Sequence, residues 1–353
     1  SSGILLFIVF VLLNASPALD FFQDNLFGSE EVKSLSLWEG IHRSKFPVLA
    51  AGKWEEEQSS ILNITSEHMK CLDQNRYANC RSRQNPRKVR QGYIVNSHGI
   101  SIGSDPWVWK PKLAEYNTTL LYPGMIKNII SGKKIFLVGD SLTMQWYTSM
   151  TCQFQHKYGF SEEEAKSTVI YVRGYVFYDY IIEKLQKVGQ NADPSDYIVF
   201  NFGHHIGPAK NPDWQPLYKS MLKNLLRTEF GNVPANHTFW RTTSPRHFIR
   251  GKGDYNSSFT VGNGSPDNFA TWEAYGGTYI EQPEQNLIAL RLLANASINM
   301  HGMRVLDTAP LMLGRADATS DGCHFCLPGP TQYWSLMLLK QIELDYFKET
   351  KYE

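Results

Sequence analysis

Short apolar runs alternate with longer mixed segments from residue 133 onwards. Each run is apolar at most positions and is followed by a glycine or a polar residue. The runs span residues 135–138, 168–172, 197–200, 238–240 and 304–306. Strands that are apolar at successive positions are typical of a parallel sheet, because helices cover both of its faces. The pattern therefore predicts an α/β fold around a central parallel sheet.

The segments between these runs contain helix candidates. They cover residues 142–152, 215–227, 284–295 and 333–347. In the last of them, Leu336, Leu339, Ile342 and Tyr346 recur at intervals of three and four residues. This spacing puts them on one helix face and predicts that they point into the core.

Four polar residues and one glycine stand where the predicted strands end. They are Ser141, Gly174, Asn201, His204 and Arg241. In an open parallel sheet the carboxyl ends of the strands meet along one edge, and ligands bind there. We expect these residues to lie along that edge and to include the functional site.

The N-terminal third lacks this periodicity. Residues 3–13 form an unbroken apolar run followed by small residues, which is typical of a signal peptide; a truncated signal anchor is the alternative. We expect a signal peptide or anchor at 1–18, a stem or irregular lead-in at 19–60, and an irregular, disulfide-tied subdomain at 61–132. The main α/β domain is expected at 133–353.

Sequons and cysteines indicate an oxidising compartment. Seven Asn-x-Ser/Thr triplets favour passage through the secretory pathway. The glycosylation candidates are Asn63, Asn117, Asn236, Asn256 and Asn295. The five cysteines would there form two disulfides, of open pairing, with one cysteine left over. Cys323 and Cys326 have the spacing of half a zinc site, but no matching second half exists, so no metal is expected.

Charge and hydropathy exclude two classes of protein. Thirty-five basic and 34 acidic residues leave a net charge of +1 without a basic block, so binding to nucleic acid is not expected. No apolar run beyond the first 20 residues is long enough to cross a membrane, which excludes a polytopic membrane protein. Membrane contact is expected only through an N-terminal anchor.

The sequence Gly139-Asp140-Ser141 follows a predicted strand and precedes a predicted helix. This order places a serine hydroxyl at a sharp turn over a helix N-terminus, where a backbone N–H can meet a developing oxyanion. A serine nucleophile needs a base and an orienting carboxylate. Asp321 and His324 stand three residues apart and can face the same side of one turn. His324 is therefore the candidate base, and Asp321 the candidate for holding its tautomer.

Three groups are candidate donors to an oxyanion. They are the backbone N–H groups of Ser141 and Gly174 and the side-chain amide of Asn201. A structural alternative stays open for two of them, because serine is a common helix N-cap and asparagine a common turn residue.

Four segments form a characteristic set. They are VGDSL at 138–142, FNFGH at 200–204, RTTSPRHF at 241–248 and DGCHFCLPG at 321–329. Together they resemble the trichome birefringence-like family, which lies in the PC-esterase group of the SGNH (GDSL-type) superfamily. The resemblance covers residues 105–345, but positions 143–146 read Thr-Met-Gln-Trp where the plant family usually has an Arg-Asn pair.

The resemblance implies an SGNH-hydrolase-like three-layer fold and a polysaccharide O-acetyltransferase. It implies Ser141 as the acetyl-accepting nucleophile, His324 as its base and Asp321 as the third member of the triad. The partners would be an acetyl donor, of open identity, and a polysaccharide or glycan acceptor, with no bound cofactor. The implied location is the Golgi lumen, with or without a membrane anchor, or outside the cell.

Two other functions fit the same residues. A secreted carbohydrate acetylesterase would use the same triad and transfer the acetyl group to water. A non-catalytic glycan-binding wall protein could share the fold, although the intact set of Ser141, Asp321 and His324 argues against it.

Further residues are candidates for binding substrate. They are Asp140, His204, Arg241, Arg246, His247 and Trp334. The second interpretation of the residues at 241–247 is an ion pair or a hydrogen-bonded corner after a strand, without contact to substrate.

Overall fold

The structure is a computed structural model that describes the α/β part of the chain and three short N-terminal segments. It describes residues 52–56, 66–72, 107–111, 121–174, 178–206, 212–227, 230–245, 284–299, 302–313, 315, 323–325, 327 and 329–350. Some of the predictions fall on residues outside these segments. They are those for Asp321, Arg246, His247, Cys80, Cys326, Asn63, Asn117 and Asn256.

A five-stranded parallel sheet forms the centre of the fold. The described strands are β1 (Gly52–Glu56), β2 (Trp107–Pro111), β3 (Ile135–Gly139), β4 (Val169–Arg173), β5 (Tyr197–Asn201), β6 (Thr238–Arg241) and β7 (Arg304–Leu306). The first two form an antiparallel pair, and the others lie in the order β4-β3-β5-β6-β7 with every neighbouring pair parallel. The predicted parallel sheet is therefore confirmed, with each predicted strand in place.

Helices cover both faces of this sheet. They are α1 (Ser66–Leu72), α2 (Pro123–Ile130), α3 (Ser141–His156), α4 (Glu162–Thr168), α5 (Tyr178–Asn191), α6 (Trp214–Arg227), α7 (Glu284–Ala294), α8 (Ala309–Leu313) and α9 (Thr331–Glu349). The predicted helices correspond to α3, α6, α7 and α9. Sequence reasoning did not identify α1, α2, α4, α5 and α8, and α1 lies in the segment 61–132 that was expected to be irregular.

Two apolar cores sandwich the sheet. In β3, Ile135 and Leu137 belong to the core that includes residues of α3 and α9. Phe136 and Val138 belong to the opposite core, with residues of α6 and α7. Successive side chains of a strand point to opposite faces, so an apolar run at every position needs a helical layer on each side. The predicted three-layer α/β architecture is confirmed.

The C-terminal helix α9 corrects one expectation. Leu336, Leu339 and Ile342 are fully buried, as predicted, but Tyr346 is 39% exposed. Its neighbour Phe347 is also exposed. The prediction for Tyr346 was wrong because α9 continues past the edge of the core, where the helical spacing no longer has a partner layer.

A disulfide ties the N-terminal region to the main domain. Cys71 in α1 is bonded to Cys152 in α3, 81 positions further along the chain. The expectation of a disulfide-tied N-terminal part is confirmed, and the bond runs to the main domain rather than within the N-terminal part. Cys323 carries a thiol. None of the described helices is both long and apolar enough to span a bilayer.

Two of the predicted glycosylation sites fall on described residues. Asn236 is exposed in a short 3₁₀ turn before β6. Asn295 is partly exposed just after α7, and its side chain accepts hydrogen bonds from the backbone and hydroxyl of Ser297. Modification of these asparagines stays a prediction.

Candidate active site

The turn between β3 and α3 presents Ser141 at the carboxyl edge of the sheet. Asp140 is the N-cap of α3, and its Oδ1 accepts hydrogen bonds from the backbone N–H groups of Leu142 (3.0 Å) and Thr143 (3.5 Å). Ser141 is then the first residue of the helix, and its side chain is partly exposed. The predicted order of strand, turn and helix is therefore present, with a capping bond that fixes the turn.

Gly139 allows this turn to be tight. A Cβ at this position would lie 2.2 Å from Thr143 Oγ1 and 2.6 Å from the carbonyl oxygen of Asn201. Both distances are far below van der Waals contact, and the carbonyl belongs to the backbone of the neighbouring strand. Only glycine lets α3 start this close to β5, so the residue before Asp140 is dictated by space.

The side chain of Ser141 meets His324. Ser141 Oγ and His324 Nε2 are 2.7 Å apart, although the residues are 183 positions apart in sequence. Both residues are partly exposed. A hydroxyl in hydrogen-bond contact with an imidazole can lose its proton to that ring as it attacks an electrophile. The predicted pair is thus brought together, while Asp321 lies outside the described residues.

A buried glutamine holds the segment that carries His324. Gln145, one turn beyond Ser141 in α3, donates from Nε2 to the carbonyl oxygen of Phe325 (2.9 Å) and accepts from the Phe325 N–H at Oε1 (3.2 Å). The side chains of Gln145 and Phe325 are fully buried. Two hydrogen bonds from one amide fix both position and orientation of the backbone next to His324.

Sequence reasoning missed the role of Gln145. The available signal was its place at 143–146, where the chain departs from the plant pattern. A glutamine four residues after Ser141, on a helix expected to pack on the sheet, needs hydrogen-bond partners when it is buried.

The three predicted oxyanion donors differ in their surroundings. The Ser141 N–H lies at the N-terminus of α3, where unpaired N–H groups carry partial positive charge. The Gly174 N–H donates to the carbonyl oxygen of Gly139 (2.7 Å). Asn201 Nδ2 donates to the carbonyl oxygen of Arg241 (2.6 Å) and to Thr243 Oγ1 (3.0 Å). The predicted roles of Gly174 and Asn201 would therefore require an exchange of these hydrogen bonds.

Arg241 and Trp334 form a buried pair behind the site. The guanidinium carbon of Arg241 lies 4.2 Å from the centre of the Trp334 ring, and both side chains are fully buried. Arg241 Nη1 donates to the carbonyl oxygen of Thr242 (3.1 Å). Both residues were candidates for binding substrate, but in this structure a ligand has no access to either. The geometry favours the second interpretation of Arg241, a hydrogen-bonded corner after a strand.

Burial also affects the charge of Arg241. Loss of hydration lowers the pKa of Arg241 to about 10, and the nearby carboxylate of Asp140 acts in the opposite direction. The guanidinium therefore stays protonated at neutral pH. Because Asp140 is also buried, the cation of Arg241 offsets a buried anion next to Ser141.

The two histidines after β5 approach the residues that precede Ser141 and His324 in sequence. His205 Nε2 is 4.0 Å from Asp140 Oδ2. His204 Nδ1 is 3.8 Å from the sulfur of Cys323, the residue before His324. The candidate residues Asp140 and His204 are thus next to the predicted centre. Within the described segments, no three His, Cys, Asp or Glu side chains are grouped to hold a metal ion.

Comparison with known proteins gives two relatives. No protein-family model matches the chain. The chain is 23% identical over 320 residues to the Arabidopsis thaliana protein named trichome birefringence-like 20, covering 71% of this chain and 66% of that protein. It is 28% identical over 179 residues to trichome birefringence-like 12 of the same plant, covering 42% of this chain and 44% of that protein. The match thus spans two thirds or less of either relative, and it confirms that this chain resembles the trichome birefringence-like family.

Proposed function

We propose that this protein is an O-acetyltransferase that moves an acetyl group through Ser141 to a hydroxyl group of a polysaccharide or glycan. The observation that carries the proposal is the 2.7 Å contact between Ser141 Oγ and His324 Nε2. It occurs at the carboxyl edge of a parallel sheet, where ligands bind in such folds. The chain resembles trichome birefringence-like proteins, a family that acetylates wall polysaccharides.

In the first half-reaction, His324 Nε2 takes the proton of Ser141 as Oγ attacks the carbonyl carbon of the acetyl donor. The carbonyl oxygen becomes an oxyanion, and the backbone N–H of Ser141 at the N-terminus of α3 is the donor best placed to stabilise it. The bond to the leaving group breaks, and His324 returns the proton to that group. Ser141 is left as an acetyl ester.

In the second half-reaction, His324 takes the proton of a sugar hydroxyl whose oxygen attacks the acetyl carbon. The bond between that carbon and Ser141 Oγ breaks, and Oγ recovers the proton from His324. Asp321 is proposed to orient His324 throughout, as the carboxylate does in other triads. Gln145 is proposed as a positioning residue, because it holds the backbone next to His324.

The proposed location is the lumen of the secretory pathway. The disulfide between Cys71 and Cys152 supports it, because such bonds persist in oxidising compartments. The sequons at Asn236 and Asn295 fit the same location. The acetyl donor and the acceptor sugar are proposed only as chemical classes, an activated acetyl ester and a hydroxyl-bearing glycan.

Intact mass spectrometry of the deglycosylated protein tests the mechanism. The protein is incubated with an activated acetyl ester, with and without xylan- or mannan-type oligosaccharides. We expect one acetyl group on the wild-type protein, its absence in Ser141→Ala, and its transfer to the sugar when an oligosaccharide is present. Ser167→Ala is the matched control, because Ser167 is an exposed serine in α4.

The other outcomes favour a different function or contradict the assignment of Ser141. An adduct that is lost to water at the same rate with and without sugar supports a carbohydrate acetylesterase. Absence of an adduct in all variants, with oligosaccharide binding intact, would favour a glycan-binding protein. An adduct that persists in Ser141→Ala contradicts the assignment of Ser141.

A further inference from the structure

A polar cavity lies beside α3, away from Ser141. Its volume is about 360 Å³, and residues of α1, α3 and α4 form its walls. The disulfide between Cys71 and Cys152 forms part of one wall and joins α1 to α3. A cavity of this size is within the range of small-ligand sites, and its walls are held by a covalent bond.

The cavity shares a helix face with Ser141. The cavity-lining residues Thr148, Cys152 and Gln155 follow Ser141 in α3 at intervals of seven, four and three residues, which places all of them on one side of the helix. At a rise of 1.5 Å per residue, the lining residues of α3 start about 9 Å from Ser141 along the helix axis and extend to about 21 Å or more. A single sugar unit at Ser141 cannot reach the cavity, whereas an extended oligosaccharide can.

Two tyrosines connect the serine turn to the cavity. The hydroxyl of Tyr171 lies 3.2 Å from the carbonyl oxygens of both Gly139 and Asp140. The ring of Tyr171 lies 6.0 Å from that of Tyr147, which lines the cavity. Both tyrosines are partly exposed. Tyrosine offers an apolar face and a polar tip, which suits contact with the faces and hydroxyls of sugars.

The charges around the cavity cancel. Glu67 and Glu162 are matched by Lys70 and Lys166, and Lys166 forms an ion pair with Glu162. The cavity therefore has little net attraction for an anion or a cation. The side chain of Gln155 is partly exposed and makes no hydrogen bond within the described residues, so its amide can both donate to a ligand and accept from it.

We propose that this cavity is a distal subsite that binds a neutral sugar unit of the acceptor chain while another unit lies at Ser141. The proposal rests on the proposed function and names the substrate class more closely, as an extended neutral oligosaccharide. Gln155 supplies a donor and an acceptor, and Tyr147 supplies an aromatic face. The hydroxyl of Thr148 donates to the carbonyl oxygen of Met144 (3.3 Å), so it contacts the sugar as an acceptor. The acceptor then contacts both ends of one helix face.

A binding measurement tests the subsite without acetyl transfer. Isothermal calorimetry on the Ser141→Ala protein uses xylobiose, xylohexaose and hexagalacturonate as probes. We expect the Thr148→Ala/Gln155→Ala double variant to bind xylohexaose about tenfold more weakly, with the loss confined to the hexamer, since two uncharged hydrogen bonds are removed. Gln186→Ala is the matched control, because Gln186 is an exposed glutamine in α5.

The outcomes separate the subsite from the reaction. Equal binding of xylohexaose by the double variant and its parent overturns the subsite, as does a parent protein that binds no xylohexaose. Tighter binding of hexagalacturonate than of xylohexaose overturns the neutral class of ligand. If xylohexaose binding depends on the cavity but no acetyl group is ever found on Ser141, the subsite stands and the proposed reaction falls.

Discussion

Helix α6, on one face of the sheet, and the helices α3 and α9, on the other, pack by different chemistry. On one face, α6 contributes an apolar stripe that is nearly fully buried and consists of Tyr218, Met221, Leu222, Leu225 and Leu226. On the other face, α3 and α9 also meet through buried polar groups. Trp146 Nε1 donates to Ser335 Oγ (3.0 Å), and Gln153 Nε2 donates to the carbonyl oxygen of Gln332 (3.2 Å).

The two kinds of contact suit different tasks, because only the helices α3 and α9 position the candidate catalytic residues. Apolar contact is not directional. It therefore holds α6 on the sheet but specifies less strictly how far the helix is shifted along its own axis. Hydrogen bonds between buried groups are directional and fix a single register. Ser141 starts α3 and His324 precedes α9, so the register of these two helices sets the distance between the two side chains. We expect substitutions on the two faces to separate chemistry from stability.

The largest expected effect is that of Arg241→Met, behind the α3 and α9 face. The change leaves the buried carboxylate of Asp140 without its offsetting cation, which we expect to cost about 3–5 kcal/mol of unfolding free energy. Urea denaturation measures it. The matched control is Arg304→Met, because Arg304 also lies over an aromatic ring, Phe239, at 4.8 Å but is partly exposed.

For the Arg304→Met control we expect a loss of about 1 kcal/mol or less. A second change, Asp140→Asn, should restore part of the stability of Arg241→Met, because it removes the uncompensated anion. Equal losses in the two arginine variants would contradict the idea that the buried charge pair matters.

Leu222→Ala, on the α6 face, is expected to be the next largest effect. Leu222 is 1% exposed, and truncation of such a leucine leaves a cavity and costs about 3 kcal/mol of unfolding free energy. We expect kcat/KM of the folded protein with an activated acetyl ester to stay at the wild-type value. A fall in kcat/KM as large as that expected for Gln145→Leu, on the α3 face, would contradict the comparison.

Gln145→Leu, on the α3 face, is expected to change the chemistry instead. The variant loses both hydrogen bonds to Phe325, and we expect kcat/KM with an activated acetyl ester to fall about 100-fold, because His324 is no longer held at Ser141.

Gln153→Leu is the matched control. Gln153 is also a buried glutamine of α3, about two turns after Gln145, and the variant loses its hydrogen bond to the carbonyl oxygen of Gln332. There we expect a much smaller fall in kcat/KM, about threefold, because this bond supports the register of α3 and α9 but does not contact the backbone next to His324. The loss of unfolding free energy should be similar in the two variants.

The smallest expected effect is a dependence of stability on pH that arises from His68 in α1. Burial, with smaller contributions from His156 and Lys157, lowers the pKa of His68 from 6.5 to about 4. The unfolded chain therefore binds a proton between these values that the folded chain does not. Stability should be full above pH 6.5 and fall as the pH drops towards 4, by about 2 kcal/mol at pH 5.

Urea denaturation across this pH range measures the contribution of His68. His68→Gln should flatten the dependence between pH 6.5 and 4. His156→Gln should reduce it only partly, because burial, the largest cause, remains. An unchanged slope in His68→Gln would assign the acid sensitivity to other groups.

The fold could be predicted where local pattern determines structure. The strands β3 and β5 are apolar at successive positions, and burial on both faces requires that pattern. The helix α4 was missed although its start was readable: Ser161 and Glu164 form a capping box, with the Ser161 hydroxyl accepting from the Glu164 N–H and Glu164 accepting from the Ser161 N–H.

The candidate site could be predicted only in part. Ser141 and His324 stand in short motifs, and the structure brings them together. The contacts of Gln145 with Phe325 and of Arg241 with Trp334 join distant parts of the chain, and no local pattern reports which buried partners they find. The same limit applies to Trp334, whose aromatic character suggested sugar contact but whose ring is covered by Arg241.

The bond between Cys71 and Cys152 has a consequence for the unfolded chain. It closes a loop across 81 positions of sequence, and a cross-link of that length removes about 4.5 kcal/mol of chain entropy from the denatured state. It also makes the two ends of the loop inseparable. A protease that cuts the backbone once between these cysteines yields two polypeptides that still migrate as one molecule until a reductant is added.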